Sequence, residues 1–101
     1  VRSRAEVIVD NYLYIAGIAH AYERKLPIDE EVYCDFYIPK EKVYIEYWGY
    51  DQNPDYLARK QEKLRIYNQN NFNLIELSDE DIKNLDDCLP QKLRTFGIIV
   101  D

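Results

Sequence analysis

Methionine is absent from this chain, histidine and tryptophan occur once each, cysteine twice and glycine three times. Each scarcity excludes something. His20 is the sole imidazole, so a serine or cysteine nucleophile would have almost no choice of general base. Gly17, Gly49 and Gly97 lie far apart and cannot form a phosphate-cradling glycine loop, which argues against a nucleoside triphosphatase. Cys34 and Cys88 are too few and too distant for a disulfide framework or a zinc site. They read as buried free thiols, and a reducing cytoplasm is the expected location. No apolar run approaches the roughly 20 residues that cross a bilayer, and the first residues read as helix, not as a secretory leader. No membrane partner is therefore expected. The missing methionine leads to the expectation that the chain is a fragment of something longer, whose flanks could supply binding surface or an ATP-driven partner.

At 101 residues there is room for one domain spanning 1–101 and no second core. Hydrophobic residues make up 47% of the chain and charged ones 32%, a balance that supports a packed globule and argues against disorder. The net charge of −6 is unfavourable for binding nucleic acid, whose phosphates call for cations. Its distribution helps. Arg59, Lys60, Lys63 and Arg65 cluster in one segment, while Asp79, Glu80, Asp81, Asp86 and Asp87 crowd another. Carboxylates gathered around a divalent ion also invert the local field once it binds.

Ser3-Arg4-Ala5-Glu6 is a capping-box pattern, opening a helix that Gly17 stops. Ala5, Ile8, Tyr12, Ile15 and Ala16 recur at helical spacing and are expected to face the core. A strand is predicted over His20–Lys25, followed by a turn at Pro27 and Asp29-Glu30-Glu31. Val32–Ile38 and Val43–Trp48 read as strands joined through Pro39-Lys40-Glu41-Lys42. Asn53-Pro54 starts a helix running to about Asn68. Asn70-Asn71 then turns the chain into a strand over Phe72–Leu77. Ser78 caps a last helix from Asp79 to about Phe96, which Pro90 is expected to break or kink. The order is helix, three strands, helix, strand, helix: an α/β fold with a small mixed sheet flanked by helices.

Asp35 and Glu46 sit inside strands that are otherwise apolar or aromatic. A carboxylate there is costly unless it is paired or binds a cation. Adjacent antiparallel strands can bring two such groups together, and paired carboxylates suit Mg²⁺, which binds through one or two of them plus phosphate oxygens. The alternative is that both lie on a solvent-facing side of the hairpin and pair with surface lysines.

Ser3-Arg4-Ala5-Glu6, Tyr22-Glu23, Asp35-Phe36-Tyr37-Ile38-Pro39 and Tyr44-Ile45-Glu46-Tyr47-Trp48-Gly49 together resemble the PD-(D/E)XK nuclease superfamily. The branch most similar is found with UvrD-like helicases and in related uncharacterised bacterial proteins. The resemblance spans about Arg2 to Leu93 and is specific in combination. It implies a restriction-endonuclease-like αβββαβ core and hydrolysis of DNA phosphodiesters dependent on Mg²⁺ or Mn²⁺. Asp35 and Glu46 are then metal ligands and Glu6 is the first-helix carboxylate. DNA is the implied partner, with a helicase module in the same longer chain as another. Two positions depart from the pattern. Cys34 replaces the proline before the aspartate, and Trp48 stands where the lysine is expected two residues after Glu46.

In this branch that lysine's role passes to the following helix. Tyr56, Lys60, Lys63 and Tyr67 share one face there, making Lys63 the first candidate and Lys60 the second. The alternative is a solvated basic face on an amphipathic helix. Glu6 has two readings as well, as ligand or as the capping-box partner of Ser3, and Asp10 one turn later could take its place. His20 reads as structural, and Glu23 as peripheral to the site. The competing functional expectation is a catalytically degenerate nuclease-fold module that binds nucleic acid or protein. A third is an acidic last helix that recruits a basic partner.

Overall fold

The structure, a computed structural model, describes residues 3–49 and 51–100; Arg2, where the family resemblance begins, lies outside them. Eight elements follow in order: α1 (Arg4–Ile15), β1 (Ala21–Tyr22), β2 (Phe36–Ile38), β3 (Val43–Tyr47), α2 (Pro54–Gln69), β4 (Asn73–Leu77), α3 (Asp79–Lys83) and α4 (Leu85–Thr95). The strands form one mixed sheet in the order β1-β2-β3-β4. β1–β2 and β2–β3 pair antiparallel, and β4 joins β3 in parallel through the α2 crossover. This is the mixed α/β architecture expected from the sequence.

Side chains alternate across the sheet and so build two apolar layers. Phe36, Ile38, Val43, Ile45, Ile75 and Leu77 point to the α1/α4 side, where they pack with Val9, Leu13, Leu85, Leu89 and Leu93. Tyr44 points the other way, toward Ile66 and Tyr67 of α2, joined by Leu26 and Cys34. The aliphatic layer is the larger one. The α2 layer is aromatic, with Tyr44 centred 4.6 Å from Tyr37 and 5.1 Å from Phe72.

Local signals set most boundaries. Ser3 caps α1 with Glu6 completing a reciprocal box, and Ser78 caps α3 with Asp81 in the same way. Asn53 accepts from the Asp55 N–H, with Pro54 preset for the first turn of α2. Cys34 and Cys88 are free thiols, and burial pushes Cys34 up to about 11. No helix among the described residues is long and apolar enough to cross a membrane.

Four expectations are corrected. The core stripe of α1 is Val9 and Leu13, with Ile8 and Tyr12 partly buried beside it, whereas Ile15 is 83% exposed. Most of this helix is apolar, so period alone admits more than one stripe. The predicted His20–Lys25 strand is only Ala21–Tyr22, because Glu23 turns out of the ladder at φ 52°. The predicted Val32–Ile38 strand is reduced to Phe36–Ile38, preceded by an isolated bridge between Tyr33 and Lys25. Finally, the last helix divides at Asn84 (φ −123°, ψ 37°) and not at Pro90, which lies inside α4. Pro90 removes one backbone donor, but Leu85, Leu89 and Leu93, all buried at four-residue spacing, anchor α4 on both sides of it.

Candidate active site

The β2–β3 register positions the first two site residues. Ile38 faces Val43, Tyr37 faces Tyr44 and Phe36 faces Ile45. One further step brings Asp35 opposite Glu46, on the face that looks toward α2. The ladder does not continue there. Instead Asp35 Oδ2 accepts the Tyr47 backbone N–H at 2.8 Å, and the Asp35 carbonyl accepts from the Glu23 N–H at 2.9 Å. A side chain thus replaces the missing rung, which fixes the carboxylate and satisfies a strand amide at once.

Glu46 is the single charged residue that the described core buries, at 1% exposure. Lys63, from the middle of α2, lies 3.0 Å from Oε1 and 2.9 Å from Oε2. One turn later the Tyr67 hydroxyl donates to Oε2. Burial, reinforced by the charge of Asp35, pushes Glu46 up to about 7, against the opposing pull of Lys63 and Tyr67. Asp35 is also raised, chiefly by burial, while the Tyr47 N–H and the Lys63 charge pull it down. Burial and the Glu46 carboxylate together hold the Tyr67 hydroxyl well above the usual phenol range. The site is a coupled pair of carboxyl groups with one cation against them.

Trp48 stands at the strand end. Its indole N–H donates to Glu76 Oε1 at 3.0 Å, and its ring carries the ammonium groups of Lys60 and Lys63 at 5.4 and 5.8 Å from the centroid. Cation–π attraction of this kind steers a flexible lysine. Both lysines lie over the ring, but Lys63 also reaches Glu46, whereas Lys60 makes no bond to either carboxylate among the described residues.

Glu6 stands beside the pair, not within it. Its Oε1 accepts the Ser3 backbone N–H at 3.1 Å, and its Oε2 accepts the Tyr22 hydroxyl at 3.1 Å. Its charge still reaches Asp35, whose pKa it raises. Among the described residues no three His, Cys, Asp or Glu side chains gather closely enough to hold a metal ion directly. Asp10 faces elsewhere, binding His20 Nε2 at 2.6 Å, while His20 Nδ1 lies 2.8 Å from the Ile18 carbonyl. That makes His20 a tie between α1 and the chain leading to β1.

Sequence reasoning missed the role of Tyr67. The signal was available, because Lys63 and Tyr67 lie one turn apart on the same face, so a site reached by one is reached by the other. It also missed the Tyr22–Glu6 bond, which joins residues far apart in sequence and carries no local pattern.

No family model matches this sequence, and no curated protein matches it significantly. Among solved structures, the fold is similar to the "Homing Endonuclease I-Bth0305I Catalytic Domain", with a TM-score of 0.68 over 94% of this chain and 94% of that one. This is a nuclease-like fold. The two sequences are 18% identical, so the likeness concerns the arrangement of the backbone. In the nuclease-like fold of this chain, the hairpin carries Asp35 and Glu46, and the crossover helix lays Lys63 against them.

Proposed function

We propose that this chain is a metal-dependent nuclease domain of the PD-(D/E)XK type that hydrolyses DNA phosphodiester bonds. The observation that carries the reading is the coupled Asp35–Glu46 pair with Lys63 against it, in a nuclease-like fold. The pair fits a hard divalent ion. It offers oxygen donors only, and a bound cation would offset the burial that raises both carboxyl groups and the Asp35 charge that raises Glu46 further. Asp35 and Glu46 would hold Mg²⁺ or Mn²⁺, with waters and phosphate oxygens filling the remaining positions. When bound, the ion would polarise the phosphate and lower the pKa of an attacking water.

The other roles belong to the chain itself. Tyr47 N–H and Tyr67 hydroxyl orient the two carboxylates. Lys63 is partly exposed and offers its ammonium to the negative charge that develops on the phosphate. Lys60 stands behind it as a second phosphate contact. Glu6 acts through its field on Asp35 and through water, in addition to capping α1. The proposal extends to a single domain over 1–101 working beside a UvrD-like helicase module in a longer cytoplasmic chain.

Asp35→Ala and Glu46→Ala are expected to abolish Mn²⁺-dependent cleavage of DNA while far-UV circular dichroism stays that of the folded domain. Cleavage retained in both variants sinks the assignment. A second reading, a degenerate module that binds without cutting, draws on Trp48 at the motif-lysine position and on the absence of a third direct ligand among the described residues. Calorimetric titration with Mn²⁺ separates the two. Heat that disappears in Asp35→Asn supports the enzyme, and no heat in either protein supports the binding module.

A further inference from the structure

Beside the carboxylate pair lies a small groove of about 290 Å³. Its walls are Val32 and Tyr33 from the segment before β2, and Arg59, Lys63 and Ile66 from α2. Lys63 belongs to both places, lining the groove while bonding Glu46, so the groove adjoins the site through that side chain. The volume is on the scale of one nucleoside, far short of what a duplex occupies.

Two residues in it stand out as unused. Tyr33 is 48% exposed and has no hydrogen bond or ring contact within the described structure. Arg59 is exposed and likewise makes no ion pair or side-chain hydrogen bond among the described residues. Tyr33 is nevertheless held firmly. Its backbone bridges Lys25, Cys34 N–H donates to the Arg24 carbonyl at 2.9 Å, and Leu26 N–H donates to the Val32 carbonyl at 2.8 Å. Cys34 is buried in the α2 layer and Val32 packs against it. An aromatic ring displayed on a fixed backbone in one groove with the Arg59 guanidinium is an arrangement that takes a base on the ring and phosphate on the charge. Trp48 does not offer the same platform, since Lys60 and Lys63 already lie over its ring. The acidic residues at the rim oppose this only weakly, because Glu62 is engaged by Arg65 and Glu31 is the remaining one.

We infer that this groove seats an unpaired base of the substrate, stacked on Tyr33 with its phosphate on Arg59, so that the site acts on single-stranded DNA or on an unpaired stretch of a duplex. The inference rests on the nuclease reading for its substrate, but its test does not require cleavage.

Binding is measured by fluorescence anisotropy with a fluorescein-labelled single strand of about 12 nucleotides in EDTA. The same strand annealed to its complement and an abasic version serve as controls. The intact single strand is expected to bind more tightly than the duplex. Tyr33→Ala is expected to weaken it about tenfold, Tyr33→Phe to leave it unchanged, and Tyr33→Ala to have no effect on the abasic strand. Arg59→Ala is expected to reduce the slope of log affinity against log salt by about 0.7. Equal binding by Tyr33→Ala and the unaltered protein, or a preference for duplex, overturns the inference. Cleavage assays on Asp35→Asn keep the two proposals apart. Asp35-dependent cleavage with unaltered binding in Tyr33→Ala defeats the groove alone. Tyr33-dependent binding without any cleavage supports the groove and defeats the enzyme.

Discussion

Glu46 shows how one buried side chain can couple stability to solution conditions. Its carboxyl is raised from 4.5 to about 7, first by burial and then by Asp35. Between those values the folded protein holds more proton than the unfolded chain. The stability this group contributes is therefore complete below about 4.5 and is lost as pH rises through about 7. In EDTA the melting temperature is expected to fall from about pH 5 to about pH 8, and Glu46→Gln is expected to flatten that slope. A rising melting temperature over the range would contradict the site geometry. Under the proposed function Mn²⁺ would bind the ionised pair, and it is then expected to stabilise most at the alkaline end. Lys63→Met removes the cation from a buried anion and is expected to cost about 2 kcal/mol near pH 8, less at pH 5 where Glu46 takes up a proton instead. Urea unfolding of the single variants and of Lys63→Met/Glu46→Gln closes the cycle. Asp35 and Glu46 stood out by residue type within apolar strands, and Lys63 was joined to them through the family resemblance and its helical spacing. Tyr67 and Tyr22 were not singled out, because a tyrosine in an aromatic-rich chain reads as core until its hydroxyl is seen to meet a carboxylate.

Elements were legible where local chemistry decides them, and illegible where a partner does. The two serine boxes and the Asn53-Pro54 start mark their helices within the sequence itself. Strand lengths depend on who lies alongside. β2 begins at Phe36 because the Asp35 side chain occupies the next rung, a fact of register that β propensity cannot express. The two-helix ending has a similar origin. Proline propensity pointed to Pro90, yet the leucine row of α4 outweighs one absent donor. Leu89 is fully buried in that row, and Leu89→Ala is expected to cost about 3 kcal/mol. Pro90→Ala restores a donor to the carbonyl of Asp86 and is expected to stabilise by about 1 kcal/mol or more, without changing the fold. Thermal melts of both variants followed by circular dichroism check the pair. A loss of stability in Pro90→Ala would mean that the proline matches its local backbone well enough to offset the missing bond.

At the scale of the molecule, one sheet separates an aliphatic layer from an aromatic one, and the ionisable pair sits at the edge of the second. The chain carries a net charge of −6, so attraction for a polyanion has to come from a few cations on α2 and not from the whole surface. With Arg59, Lys60 and Lys63 as phosphate contacts, log affinity for a single strand is expected to fall against log salt with a slope of about −2. A much steeper slope in an anisotropy titration would reveal basic contacts outside this helix. Composition gave the sign of this problem, and the sheet order supplied its solution, since the crossover lays the basic helix over the acidic strand end. The bond from the Tyr47 amide to Asp35 has a practical consequence of its own. That proton sits in the backbone yet senses the carboxylate directly, so its NMR resonance is a built-in gauge: it is expected to move as Asp35 changes charge, and a shift on adding Mn²⁺ would report the proposed metal site with no label and no turnover.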